Sequence, residues 1–257
     1  MIDTQTTLDL KQKKALDYIK SLELPPLPTE LARFKEEPTI LDDAPGAYVS
    51  AGNIVSFIEG LTKLHKQDVL NSTLLAQLAA NKAFNRETDT VKWYAKYTEV
   101  LSNVGWDASD WKFTKFTTHS ETFDIEGVVL ALISAIASSS QLAMVVQALS
   151  ALKALASGSK GFNLWNSQTH DSQNGNFQIA PCAESDGNVA MALGAFYFSA
   201  KSVDHNFLWF RYTQLDVSLY QSGQTVVLNE QAYAYVRQQV IDKLGDNAVK
   251  YVADLDI

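Results

Sequence analysis

The chain has 257 residues, 46% hydrophobic and 19% charged, with 29 acidic against 21 basic side chains. That is a globular composition with ample length to bury a core, and it excludes disorder as the bulk of the molecule. A net charge of −8, a pI near 5.0 and no run of Lys and Arg argue against nucleic acid as a partner, and against a basic patch for anionic lipid.

Met1-Ile2-Asp3-Thr4-Gln5 has neither a basic nor an apolar leader segment, so the expected location is cytoplasmic, or exported without a cleaved signal peptide. Leu8, Leu16, Ile19 and Leu22, with Lys and Asp between them, predict an amphipathic helix over 8–22. Pro25-Pro26-Leu27-Pro28 stops it, and Thr29 is placed to cap a short helix through Phe34. Asp42-Asp43-Ala44-Pro45-Gly46 is a turn by its chemistry. Ile54, Phe57, Ile58 and Leu61, then Leu74, Leu75 and Leu78, predict a long helical tract over 53–83. A joint is expected at 68–72, where Asn71-Ser72 would cap a new helix. Val91, Trp93, Tyr94, Tyr97, Val100 and Leu101 predict a helix over 89–104, terminated by Gly105. The region 1–106 thus reads as helical. Trp111 to Thr118, rich in β-branched and aromatic residues, reads as a strand.

The run 127–156 is almost uncharged and broken only by Ser138-Ser139-Ser140-Gln141. Asp124 and Glu126 suit a helix start, so two apolar helices are expected. In the second, Gln147, Ser150, Lys153 and Ser157 share a narrow face opposite Leu142, Val145, Val146, Leu149, Leu152 and Leu155. Each half is too short for the roughly 20 residues of a spanning helix. Two uses fit: a packed core element, or a hairpin that leaves the fold for a membrane or a partner.

After Gly158 the pattern changes to strands. Asn174-Gly175-Asn176 and Asp186-Gly187-Asn188 read as turns, and 177–182, 189–200, 207–220 and 224–228 read as strands of an antiparallel sheet. Asn229 caps a helix to Leu244, closed by Gly245, with a last strand over 249–255. The expected fold is a single α+β domain: a helical N-terminal half on a C-terminal antiparallel, sandwich-like sheet, with the apolar helices between them and a C-terminal helix.

No motif of catalysis stands out. His65, His119, His170 and His205 are scattered; His170-Asp171 and Asp204-His205, with Glu184 or Asp186, are one conceivable metal or hydrolase site. Solvated loops explain the same residues. Ser157-Gly158-Ser159-Lys160-Gly161 has the spacing of neither a nucleophile elbow nor a phosphate loop, and reads as a helix end and linker. Cys182 stands alone, so no intramolecular disulfide exists, and it reads as a buried thiol. Glu36-Glu37 and Asp42-Asp43 sit beside prolines as solvated turns. No catalytic, metal or cofactor residue is assigned. The aromatics Phe196, Tyr197, Phe198, Phe207, Trp209 and Phe210 read as sheet core, whereas Tyr212 and Tyr220, on the opposite strand face, are candidate ligand or sugar contacts.

The segment from Asp68 through Ala80 (DVLNSTLLAQLAA), with Trp93-Tyr94-x-x-Tyr97 and Gly105-Trp106, resembles small bacterial proteins encoded in virulence loci beside α-helical pore-forming toxins of the motility-associated killing factor type. Those proteins are of unknown activity, so the resemblance implies a toxin setting and carries over no functional residue. The 128–156 hairpin, with serines at its tip and little charge on its flanks, is what points to a non-enzymatic toxin component or accessory protein acting on a membrane or a toxin subunit. Val128, Leu132, Leu142, Val145, Val146, Leu149, Leu152, Tyr212 and Tyr220 are the expected membrane or partner contacts. A hydrolase or metal enzyme using the C-terminal loops, or a sugar-binding module, are the alternatives.

Overall fold

A computed structural model describes residues 4–185 and 187–257. The first three residues of the expected leaderless N-terminus, and Asp186 of the expected turn and metal set, lie outside the described residues.

Helix α1 (Thr4–Ser21) and the single turn α2 (Thr29–Ala32) are followed by strands β1 (Gly46–Ser50) and β2 (Asn53–Phe57), then by α3 (Lys63–Ala83) and α4 (Thr90–Asn103). The short β3 (Thr114–Lys115) leads into α5 (Ile125–Ile136), α6 (Ser139–Lys153) and α7 (Lys160–Thr169). Strands β4 (Asn174–Ser185), β5 (Asn188–Ala200) and β6 (Val217–Val227) come next, and α8 (Glu230–Leu244), α9 (Asn247–Lys250) and β7 (Val252–Leu255) close the chain.

The α+β class holds, with a seven-stranded sheet in the order β3-β6-β5-β4-β2-β1-β7. Three features differ from the sequence reading. First, the N-terminal half is helical except for the β1–β2 hairpin, which supplies two interior strands. All five residues of β2 are buried, Asn53 and Ser56 included, so it shows no exposed face, and Ile54 and Phe57 mimic helical spacing. Second, the sheet is mixed: β2 runs parallel to β4, pairing Ile54 with Ile179 and Phe57 with Cys182. Third, it is one sheet covered on both faces, not two sheets stacked. Tyr94 of α4 donates to Asn176 Oδ1 (2.7 Å) on one face. Trp165 of α7 packs on Phe177, the next residue of β4, on the other. The apolar helices α5 and α6 share that second face and are not wedged between the helical half and the sheet.

Local chemistry explains most boundaries. Ser138 and Gln141 form a reciprocal capping box that starts α6 (Gln141 N to Ser138 Oγ 3.2 Å, Ser138 N to Gln141 Oε1 3.0 Å). Asp124 accepts from Gly127 N (2.8 Å) to start α5, and Asn229 from Ala232 N (3.0 Å) to start α8. Gly105 and Gly245 follow α4 and α8 with φ of 108° and 51°. The expected joint at 68–72 is absent. Ser72 and Thr73 instead donate back to the carbonyls of Asp68 (2.6 Å) and Val69 (2.7 Å), and α3 runs straight through.

Four further expectations change. The strand expected over 111–118 shrinks to β3. Residues 157–161 are no linker, because Ser159 caps α7 (from Phe162 N, 3.3 Å). Gly175 lies inside β4, where a Cβ would meet Phe198 Cε1 at 2.1 Å, so it marks a close approach and not a turn. Residues 207–216 are turns and irregular backbone with one bridge at Tyr212, and only 217–227 is strand.

Candidate functional site

The apolar hairpin is seated in the sheet by glycine. Gly194 of β5 pairs with Gly223 of β6, and this cross-strand pair leaves a hollow under α5. A Cβ at Gly194 would stand 2.9 Å from Ile133 Cδ1, and one at Gly223 3.0 Å from Ile136 Cδ1. Gln141 at the start of α6 donates from Nε2 to Pro181 O (2.9 Å), fixing that helix on β4.

This seating sorts the expected contacts. Val128, Val145, Leu149 and Leu152 are buried against the sheet, and Leu132 and Leu142 are half-buried. Val146 alone among the hairpin candidates faces outward, 46% exposed. Around it the exposed face carries Ala131, Ala135, Ala143, Gln147 and Ser150. Lys153 is the sole charged side chain between Glu126 and Lys160. The outer surface of the hairpin is therefore built largely of small side chains and carries a single charge, Lys153.

Tyr212 is not a surface residue. It lies 3% exposed in an irregular segment whose backbone bridges Phe123, because the alternation around it is not that of a strand. Tyr220 is half-exposed on β6 and stacks on Tyr197 of β5, its registered cross-strand partner, with ring centroids 4.7 Å apart and planes at 6°. Beside this pair opens a cleft of about 400 Å³, walled also by the segment leading into α4.

The histidine set does not converge. Asp171 accepts from the backbone of Gln173 and Asn174 (2.7 and 2.6 Å) within its own turn. These bonds outweigh partial desolvation and hold its carboxyl below the usual range. Asp204 accepts from Asn206 N (2.8 Å), and His205 Nε2 lies 3.0 Å from Asn206 Nδ2. Glu184 pairs instead with His65 (Nδ1 to Oε2, 2.7 Å). Among the described residues no group of three His, Cys, Asp or Glu side chains could hold a metal ion. Cys182 is fully buried, and burial pushes its thiol up, away from reactivity.

A charged network joins α3, β4 and α8. Arg237 Nε and Nη2 donate to the two oxygens of Asp68, each at 2.8 Å, and Nη2 also reaches Glu230 Oε1 at 2.6 Å. Glu230 Oε2 stands 3.7 Å from His65 Nε2, which links the ion pair to Glu184. Asp68 is 1% exposed and burial pushes its carboxyl up, while Arg237, hydrogen-bonded to Asp68, is held still more firmly charged. The available sequence signal is local: His65 and Asp68 lie one helical turn apart, and Glu230 and Arg237 two.

No protein-family model matches the chain, and no curated protein matches it by sequence. Among solved structures it is similar to a delta-endotoxin, over 79% of this chain and 90% of that one, at 12% identity and a TM-score of 0.42. It is also similar to the Evf virulence factor, over 93% of this chain and 89% of that one, at 14% identity and a TM-score of 0.30. Both likenesses are distant.

Proposed function

We propose that this protein is a non-enzymatic component of a toxin-type system that binds a partner subunit through the outer face of α5 and α6. The observation that carries the reading is that exposed, small-residue face, with Lys153 its one charge. Small uncharged side chains let another helix approach closely without desolvating charge. The toxin setting follows from the resemblance of residues 68–106 described above.

A membrane-inserting hairpin is the weaker version. Helix α5 has 12 residues and α6 has 15, about 18 and 22 Å at 1.5 Å per residue, against the roughly 30 Å of a hydrocarbon core. No helix among the described residues is long and apolar enough to cross a membrane. Release would also strip Val128, Val129, Ile133, Val145, Leu149 and Leu152 from the sheet, at roughly 9–18 kcal/mol in transfer terms. That is as large as the whole stability of a typical domain.

The test is co-purification with the proteins encoded beside its gene. Val146→Glu and Ala143→Glu should leave the circular dichroism and melting midpoint unchanged while removing the association. Partner binding that survives both substitutions would overturn the proposal. So would flotation of wild type with neutral or anionic vesicles in place of partner binding.

A further inference from the structure

We infer that the cleft between the start of α4 and the β5–β6 pair is a binding site for a neutral saccharide. It goes beyond the partner surface, lies on other elements, and uses none of the same residues. Its volume of about 400 Å³ falls within the roughly 300–1,000 Å³ of small-molecule sites. One wall is aromatic: Tyr197 and Tyr220, both half-exposed, present parallel rings held in register by the β5–β6 ladder. The two rings cover one face of each other, and the half-exposed remainder of the pair is apolar surface on which the C–H groups of a pyranose can pack while its hydroxyls stay free.

The opposite wall is polar. Glu87, Asp89 and Lys92 line it, and Ser218 adds a hydroxyl from β6. Each of these three charges already has an ion-pair partner. Lys92 Nζ lies 3.3 Å from Asp89 Oδ1, and Glu87 Oε1 lies 3.7 Å from Nε of Arg86, a buried guanidinium behind the wall. A ligand with a formal charge would find no unpaired countercharge. Hydroxyl groups, by contrast, find carboxylate oxygens with lone pairs to spare. A polyol with one apolar face and no charge fits both walls.

The site is tested by titrating cellobiose, lactose, maltose and N,N′-diacetylchitobiose into the full chain by calorimetry, after a glycan-array screen. At least one neutral sugar should bind wild type. Tyr220→Ala should weaken it tenfold or more. Val91→Trp changes an exposed residue on the rim, so it should obstruct the cleft with no change in melting midpoint. Val146→Glu should bind sugar as wild type does, which separates this result from the fate of the partner surface. The inference is overturned if no neutral saccharide binds, if binding survives Val91→Trp, or if only sialylated or sulfated glycans are retained.

Discussion

Asp68 is one of the few acidic side chains placed inside the core, and its cost is met by geometry. Both carboxylate oxygens are taken by the Arg237 fork, whose Nη2 is shared with Glu230. Such a pair adds little over an apolar replacement, but breaking one side of it leaves an uncompensated buried charge. Arg237→Ala, which leaves Asp68 buried without its cation, is therefore expected to cost about 3–5 kcal/mol, read as a fall in the urea midpoint. The double variant Asp68→Leu with Arg237→Met should recover most of that loss. If the single variant unfolds at the wild-type midpoint, the network is ornamental. Nothing in the sequence pairs residues 68 and 237. Asp68 reads as part of a helix joint because Asn71-Ser72 just after it has the chemistry of a cap, and the distant cation that pairs with it is out of sight.

The elements that were legible are those whose end signals coincide with a hydrophobic period. Helices α4, α6 and α8 each combine a 3.6-residue stripe with a terminal Gly or a side-chain cap, so pattern and punctuation agree. The β1–β2 hairpin was hidden because an interior strand buried on both faces shows no alternation, and Ile54, Phe57 and Leu61 then imitate a helix. Helix α7 was hidden behind Lys160-Gly161. In the fold Lys160 is buried, its Nζ donating to Glu36 O (2.7 Å) and Val249 O (2.9 Å). Of the candidate site, the low charge of the hairpin and the exposed Gln147, Ser150 and Lys153 side of α6 could be read directly, but which side of α5 faces the sheet could not. Gly175 shows the same ambiguity at strand level, since Asn-Gly-Asn signals a turn while the fold uses the glycine to admit Phe198. Gly175→Ala should cost about 1–3 kcal/mol through overpacking, seen as a lower melting midpoint. An unchanged midpoint would mean that Phe198 has a second rotamer available.

Across the whole molecule the sheet interleaves distant parts of the chain. Strands from residues 46–57 sit between β4 and β7, so neither half owns a complete sheet. A fragment of residues 1–106 should consequently fail to fold, and the full chain should unfold in one step. Its five tryptophans, at 93, 106, 111, 165 and 209, include Trp93 on the α3–α4 side and Trp165 on the α7 side of the sheet. Fluorescence and far-UV circular dichroism should then report one common urea midpoint. Separated transitions would show that the layers are independent. The same strand order leaves two short outer strands, β3 with 2 residues and β7 with 4. Strand β6 has 11 residues, and much of its outer side is met by segment 107–116 through Asp107 N to Val227 O (2.9 Å) and Phe116 N to Leu219 O (2.8 Å). That ribbon guards the longest backbone run that another copy could template upon. Peeling it away, by proteolysis or by dilute denaturant, would bare that run as a seed for filaments.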